Sequence, residues 1–142
     1  MTVASPKLAL DFQDVARRLK ELVLPEVDVV VGIGTGGVVP ACLVAYHLGA
    51  PLKIIHLNFR DADNKPRRDT PTLLEPFYGP PAGSRVLLVD DVSVSGATMA
   101  AARQHLPGCE VTTLAFKGKA DLVVLPEVAS CVVWPWALSP AR

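Results

Sequence analysis

The sequence predicts a single α/β domain in which a mainly parallel sheet is flanked by helices. Residues 27–48 and residues 86–103 each run from a short strand of branched apolar residues, through a turn of small residues, into a helix. Continuous apolar runs are typical of strands buried on both faces, as in a parallel sheet. The length of 142 residues suits one such domain, with a small hood predicted from residues 118–142.

An amphipathic helix is predicted first, over residues 11–24. Its apolar residues recur with a three-to-four spacing on one face: Phe12, Val15, Leu19, Leu22 and Val23. Pro25 is expected to end the helix, because a proline ring cannot continue its hydrogen bonds. The apolar face is expected to pack against the rest of the domain.

The first strand of the sheet is predicted over residues 27–31, and it runs into a glycine-rich turn at residues 32–37. A helix is predicted over residues 38–48. Its first turn tolerates Pro40, because the N–H groups there have no helical partner, and Gly49 is expected to end it.

The glycines of this turn also fit the dinucleotide-binding pattern GxGxxG, at Gly32, Gly34 and Gly37. That type of site also needs an acidic residue about 20 positions further on, at the end of the next strand. The next strand, predicted over residues 51–57, carries none, and Asp61 comes late. A dinucleotide-binding oxidoreductase therefore stays open only as a distant alternative.

A long polar passage follows, with Lys65, Arg67, Arg68 and five prolines between residues 58 and 84. Passages of this length inside a compact domain are commonly active-site lids or unstructured segments. Residues 58–83 are therefore predicted to form a mobile lid loop, and a solvated charged loop without a catalytic part is the open alternative.

The most informative stretch runs from a buried strand at residues 86–89 into Asp90 and Asp91, then into hydroxyl residues and a helix over residues 97–103. Unpaired N–H groups and the dipole at a helix N-terminus favour a phosphate. Two carboxylates beside a phosphate are explained if the ligand also carries hydroxyls and Mg²⁺. A phosphorylated sugar meets both requirements; an ordinary capped helix is the alternative.

The segment VLLVDDVSVSGAT, residues 86–98, resembles the signature of the type I phosphoribosyltransferases. The resemblance implies that Asp90 and Asp91 contact the ribose hydroxyls of phosphoribosyl pyrophosphate (PRPP), and that they are candidate ligands of Mg²⁺. It also implies a group of residues that bind the 5′-phosphate: Val94, Ser95, Gly96, Ala97 and Thr98.

The glycine turn, read as GIGTGGVVPACLVA, resembles the pyrophosphate-binding loop of the same family. The resemblance implies that Thr35, Gly36 and Gly37 bind pyrophosphate, with Mg²⁺ held through the pyrophosphate. Purine-salvage relatives often carry arginine or lysine where Thr35 stands. The pyrophosphate is therefore expected to be bound either more weakly or entirely by main-chain groups.

The last strand is predicted over residues 110–116, and the tail carries the segment WPW. This part resembles the xanthine-guanine and hypoxanthine phosphoribosyltransferases, which implies that Lys117 binds the 6-oxo group of a purine and Trp134 stacks on its ring. A core tryptophan is the open alternative. Val94 stands where oxopurine enzymes carry an aspartate, and Ala137 replaces a common acidic residue.

Composition restricts the partners. The formal net charge is zero, with 14 basic and 14 acidic residues, which argues against a nucleic-acid-binding protein. No apolar run approaches the roughly 20 residues that span a bilayer, and no signal peptide is recognisable, so a cytoplasmic protein is expected. Three scattered cysteines are expected in the core: Cys42, Cys109 and Cys131.

The sequence as a whole predicts an enzyme that transfers 5-phosphoribose from PRPP to a nitrogenous base, preferentially a 6-oxopurine, with Mg²⁺ as cofactor. Its partners would be these small molecules, and the short chain also makes a homodimer reasonable. A non-catalytic module that senses PRPP or a nucleotide is the main alternative.

Overall fold

The computed structural model describes residues 7–58 and 72–137. Most of the predicted lid, residues 59–71, lies outside the described residues, and so do Lys65, Arg67 and Arg68. Within the described ranges, no helix is long and apolar enough to cross a membrane.

Three helices and eight strands are found in the described part of the chain. The helices are α1 (Phe12–Glu21), α2 (Val38–Leu48) and α3 (Ala97–Arg103). The strands are β1 (Leu8–Ala9), β2 (Val29–Gly34), β3 (Leu52–Asn58), β4 (Thr72–Leu73), β5 (Arg85–Ser93), β6 (Glu110–Gly118), β7 (Leu122–Val123) and β8 (Val132–Val133).

Six of the strands form one sheet in the order β4-β3-β2-β5-β6-β7, and only the β3–β4 pair is antiparallel. The predicted α/β class with a mainly parallel sheet is confirmed. Within the segment predicted as a hood, β7 extends the main sheet, while β8 pairs with the N-terminal β1 in a separate two-stranded sheet.

The two faces of the main sheet carry two separate hydrophobic clusters, because successive side chains of a strand point to opposite faces. One face packs under α1 and α2, and Val30, Leu87 and Phe116 belong to its cluster. The other packs under α3 and includes Val31 and Leu88. Burial on both faces explains why the central strands are continuously apolar.

Helix α1 is shorter than the predicted range. Asp11 and Asp14 form a capping box at its start, as Asp11 Oδ1 accepts from the Asp14 N–H at 2.7 Å and Asp14 Oδ2 from the Asp11 N–H at 3.2 Å. The helix ends at Glu21, because Leu22 adopts an extended backbone. Val23 is consequently 90% exposed, so its predicted place on the buried face is wrong.

Helix α2 has the predicted bounds, residues 38–48. Gly49 adopts the left-handed conformation, with φ of 66°, and its N–H donates to the Tyr46 carbonyl at 3.3 Å. Cys42 lies on the outer face of this helix and is exposed, as is Cys131, while Cys109 is half-buried. The prediction that all three cysteines are core residues is therefore wrong.

A pair of hydrogen bonds links the middle of β6 to the turn before β7. Asp121 Oδ2 accepts from the N–H of Thr113 at 2.9 Å, and Thr113 Oγ1 accepts from the N–H of Asp121 at 2.9 Å. Thr113 is buried, so the carboxylate supplies an acceptor to a main-chain donor beyond the short β6–β7 ladder.

Replacing Asp121 with alanine is expected to lower the free energy of unfolding by about 1–3 kcal/mol, because the Thr113 N–H would lose its acceptor. Urea denaturation of the variant measures this loss. Glu26→Ala is the control, because the Glu26 side chain is 96% exposed and its ion pair with Arg85 is long, at 3.8 Å. An Asp121→Ala variant as stable as this control would contradict the expectation.

Candidate functional site

Two of the motifs found in the sequence meet at the carboxyl edge of the main sheet. The β2–β5 ladder ends at the pair of Gly32 and Val89, whereas β5 remains paired with β6 as far as Ser93. Asp90 and Asp91 therefore lie inside β5, which ends at Ser93 and not at residue 89 as the sequence predicts. Their side towards β2 is left for the glycine loop.

The glycine loop, residues 34–37, packs directly on this acidic pair. A Cβ atom at Gly36 would lie 2.7 Å from each carboxylate oxygen of Asp91. At Gly37 a Cβ atom would lie 2.5 Å from the Ile33 carbonyl oxygen and 2.8 Å from that of Val89. A side chain at Gly37 would collide with the main chain, and one at Gly36 would displace the Asp91 carboxylate, so the loop main chain and this carboxylate form one surface.

Main-chain hydrogen bonds fix the shape of this loop. The Gly37 N–H donates to the Ile33 carbonyl at 2.8 Å, and the Val38 N–H donates to the Thr35 carbonyl at 3.1 Å. The peptide bond between Gly34 and Thr35 is cis. Thr35 and Gly36 are exposed at the edge of the sheet, where a ligand can reach them.

The two aspartates have different environments. Asp90 is only 8% exposed, and burial raises the pKa of its carboxyl to about 8, with hydrogen bonding to Asp91 and the negative charge of Asp91 adding to the rise. Asp90 Oδ1 accepts from the Asp91 N–H at 2.8 Å, and Asp91 Oδ1 accepts from the Val92 N–H at 2.7 Å. Burial and the neighbouring Asp91 therefore both favour the protonated form of Asp90.

Of the predicted phosphate-binding residues, Val94, Ser95 and Gly96 form the turn between β5 and α3, and Ala97 and Thr98 are the first two residues of α3. Gly96 is the N-cap in the left-handed conformation, with φ of 84°, and it has no side chain that could cap the helix. The Ser95 hydroxyl accepts from the Ala97 N–H at 3.2 Å. Val94 is 78% exposed. The main-chain donors at the start of α3 are thus joined to the strand that carries the acidic pair by a short turn, residues 94–96.

The two residues predicted to bind a base lie on different faces of the sheet. Lys117 is paired with Val92 near the end of β6. Its neighbour Phe116 points to the opposite face and contacts Trp134 edge-on, with ring centroids 6.1 Å apart. Trp134 also stacks on Trp136, at 5.1 Å and an interplanar angle of 6°, so one face of its ring is covered.

A cleft of about 420 Å³ opens beside α3. Its lining includes Gly96 of the phosphate-binding turn and Lys119, but neither aspartate and no residue of the glycine loop. The Lys119 N–H donates to the Ser93 carbonyl at 2.7 Å, which joins the end of β6 to the start of the turn. Cavity shape alone would therefore not locate the acidic pair.

His56, at the carboxyl edge of β3, also belongs to this region, although no sequence motif indicates it. It is paired with Gly34, and a Cβ atom at Gly34 would lie 2.5 Å from its Nδ1. Only the register between β2 and β3 places this ring beside the glycine loop. The sequence spacing of 22 residues carries no signal of it.

The donor atoms of the site fit a metal ion that is held mainly by the phosphate oxygens of a bound small molecule. Within residues 7–58 and 72–137, no group of three or more histidine, cysteine, aspartate or glutamate side chains could hold a metal ion. The Asp91 carboxylate beside the glycine loop offers hard oxygen donors. Mg²⁺ is typically bound by one or two carboxylates together with phosphate oxygens, and this arrangement suits it.

The sequence profile of the phosphoribosyl transferase domain matches residues 6–135. Two curated relatives are named Transcriptional regulator GfcR 2. The one from Methanosarcina acetivorans is 31% identical over 130 residues, which cover 88% of this chain and 63% of the relative. The one from Methanosarcina barkeri is 38% identical over 91 residues, 64% of this chain and 43% of the relative. The chain thus spans less than two thirds of either relative.

Among solved structures, the purine phosphoribosyltransferase of Pyrococcus horikoshii superposes with a TM-score of 0.73 at 28% identity, covering 96% of this chain and 97% of that one. The xanthine-guanine-hypoxanthine phosphoribosyltransferase of Helicobacter pylori superposes with a TM-score of 0.67 at 16% identity, covering 94% and 95%. The second likeness concerns the fold alone.

Proposed function

The chain belongs to the phosphoribosyl transferase domain family, and on that premise we propose that it transfers 5-phosphoribose from PRPP to a nitrogenous base and releases pyrophosphate. The observation that carries the proposal is the contact of the glycine loop with the acidic pair, where Gly36 packs on the Asp91 carboxylate. A sugar that bears a phosphate and a pyrophosphate needs these two features side by side.

Each part of PRPP has a counterpart at this edge of the sheet. The 5′-phosphate would accept hydrogen bonds from the main-chain N–H groups of residues 94–98, at the start of α3. The pyrophosphate would lie on Thr35, Gly36 and Gly37. Asp90 and Asp91 would hold the ribose hydroxyls between them.

The acidic pair also suits the charge that develops during transfer. As the bond from C1 to pyrophosphate breaks, the ribose ring becomes positive, and the Asp91 carboxylate would stabilise that charge. A protonated Asp90 would donate a hydrogen bond to a ribose hydroxyl, while Asp91 accepts one. Bound Mg²⁺ would neutralise negative charge on the departing pyrophosphate.

The acceptor base that we propose is a 6-oxopurine. Lys117 near the end of β6 would donate to its 6-oxo group. Trp134 packs on Phe116 and Trp136 on the other face of the sheet, so it is not placed on the same purine ring. The likeness to the purine phosphoribosyltransferase of Pyrococcus horikoshii supports a purine. Val94 and the exposed Ala137 lack the carboxylates found in oxopurine enzymes, so turnover is expected to be slow.

A screen for PRPP-dependent release of pyrophosphate over purines, pyrimidines and orotate tests this function. We expect weak activity with hypoxanthine, guanine or xanthine in the presence of Mg²⁺. Strong turnover of adenine, orotate or uracil would show that the base assignment is wrong. Absence of turnover with every base would contradict the enzymatic proposal.

Two substitutions test the base-binding assignment. Val94→Asp is expected to raise oxopurine turnover, because a positioned proton-transfer group typically contributes about 10²–10⁴-fold. The exposure of Val94 leaves room for the carboxylate. Lys117→Ala is expected to raise KM for the base. Steady-state kinetics measures both, and Lys53→Ala, at the exposed amino end of β3, is the control.

The second candidate is a regulatory module that binds PRPP or a nucleotide without turnover. The curated relatives named as transcriptional regulators favour it, and so does the valine at position 94. Isothermal titration calorimetry with PRPP and Mg²⁺, run beside the turnover screen, separates the two candidates. Binding without pyrophosphate release with any base would support the regulatory module.

A further inference from the structure

The ring of His56 occupies the space that a side chain at Gly34 would need. The two residues are paired in the β2–β3 ladder. A Cβ atom at Gly34 would lie 2.5 Å from His56 Nδ1 and 2.6 Å from Cε1. The imidazole therefore lies directly over the Cα atom from which the glycine loop starts.

The main chain of His56 is fixed on both sides. Strand β3 lies between β2 and β4, and the His56 carbonyl accepts from the Leu74 N–H at 3.0 Å. Gly32, two residues before Gly34 on the same face of β2, is covered in the same way by Ile54 and Ala41. A Cβ atom at Gly32 would lie 3.0 Å from Ile54 and 2.5 Å from Ala41. The His56 ring continues this packed row to the edge of the sheet.

We propose that His56 is a positioning residue for the glycine loop, an inference that rests on the proposed function. Its ring packs against the start of the loop at Gly34, while Asp91 contacts the same loop at Gly36. Held at these two points, the main chain of Thr35 and Gly36 presents its N–H groups to the pyrophosphate. The ring acts through the loop, and it does not need to touch the ligand.

The test compares two ligands that address different parts of the site. Inorganic pyrophosphate with Mg²⁺ probes the glycine loop, and ribose 5-phosphate probes the turn before α3. By titration calorimetry, His56→Ala is expected to weaken pyrophosphate binding about tenfold or more, because well-placed hydrogen bonds to a charged ligand are lost. Its affinity for ribose 5-phosphate is expected to stay within about twofold.

Two further variants distinguish steric packing of the His56 ring against the glycine loop from other roles of this residue. His56→Phe keeps a planar ring and is expected to retain most of the pyrophosphate affinity. His47→Ala, on the exposed face of α2, is the control and is expected to match the wild type. The positioning role is overturned if His56→Phe loses as much pyrophosphate affinity as His56→Ala does. It is also overturned if His56→Ala weakens the binding of pyrophosphate and of ribose 5-phosphate equally.

A steric test does not depend on any ligand. Gly34→Ala is expected to lower the melting temperature because its methyl group would clash with the His56 ring. The double variant Gly34→Ala, His56→Ala is expected to recover part of that loss. A Gly34→Ala protein as stable as the wild type would overturn the inference.

The outcomes also distinguish this inference from the proposed function. Normal pyrophosphate binding by His56→Ala, with both ligands bound by the wild type, would overturn the positioning role and leave the proposed function intact. A wild-type protein that binds neither ligand would overturn the proposed function, and the inference with it.

Discussion

Turnover of PRPP is expected to fall at least about 10²-fold in kcat/KM when Asp90 and Asp91 are both replaced by asparagine, since preorganised charges at the reacting centre are typically worth that much. The double variant removes the negative charge next to the loop that would hold pyrophosphate, and it replaces one acceptor oxygen of each carboxylate with an NH₂ donor where the ribose would bind. Asp91→Asn alone is expected to lower kcat/KM more than Asp90→Asn alone. Asparagine at position 90 resembles the protonated carboxyl that burial favours at this position.

The measurements are steady-state kinetics and the rise in melting temperature caused by PRPP with Mg²⁺, since a ligand that binds only the folded state stabilises it. Asp28→Asn is a matched control at the other edge of the same sheet, where Asp28 accepts from the Arg85 N–H at 2.7 Å. Unchanged rates and thermal shifts in the double variant would exclude the ribose assignment.

The adjacency of the two motifs could be expected from the sequence, because the carboxyl ends of neighbouring parallel strands open onto the same crevice. The bounds of α2 also follow from local signals, a glycine turn before it and Gly49 after it. The sequence did not indicate that β5 continues to Ser93. From Asp90 to Ser93, β5 is paired on one side only, with Ala115 to Gly118 of β6, and the extension depends on this pairing.

Contacts that depend on register or on very short elements were not predictable. The β1–β8 pair involves two residues from each strand, too few for any periodicity. The stack of Trp134 on Trp136 and the position of His56 beside Gly34 arise from tertiary packing. Sequence spacing therefore identified the phosphate- and ribose-binding candidates, whereas the residues that support them required the structure.

The stability of the protein is expected to fall as the pH rises from about 5 to about 8, to the extent that Asp90 controls it. Burial raises the pKa of Asp90 to about 8 from its ordinary value of 3.8, so between these values the folded state holds a proton that the unfolded chain has released. The unfolded state then binds fewer protons, and the free energy of unfolding decreases with pH by up to about 1.4 kcal/mol per unit.

Asp90→Asn removes this titration, so the variant is expected to gain stability relative to the wild type as the pH rises, and the gain should level off above about pH 8. Urea denaturation at pH 5, 7 and 9 measures the difference, in which contributions of groups common to both proteins cancel. Asp28→Asn is the control: hydrogen bonding to Arg85 lowers the pKa of Asp28, so Asp28 is ionised throughout this range in both states and adds no slope. A difference between wild type and Asp90→Asn that is constant with pH would show that burial does not raise the pKa of Asp90, and that its carboxyl is ionised at neutral pH in the folded state.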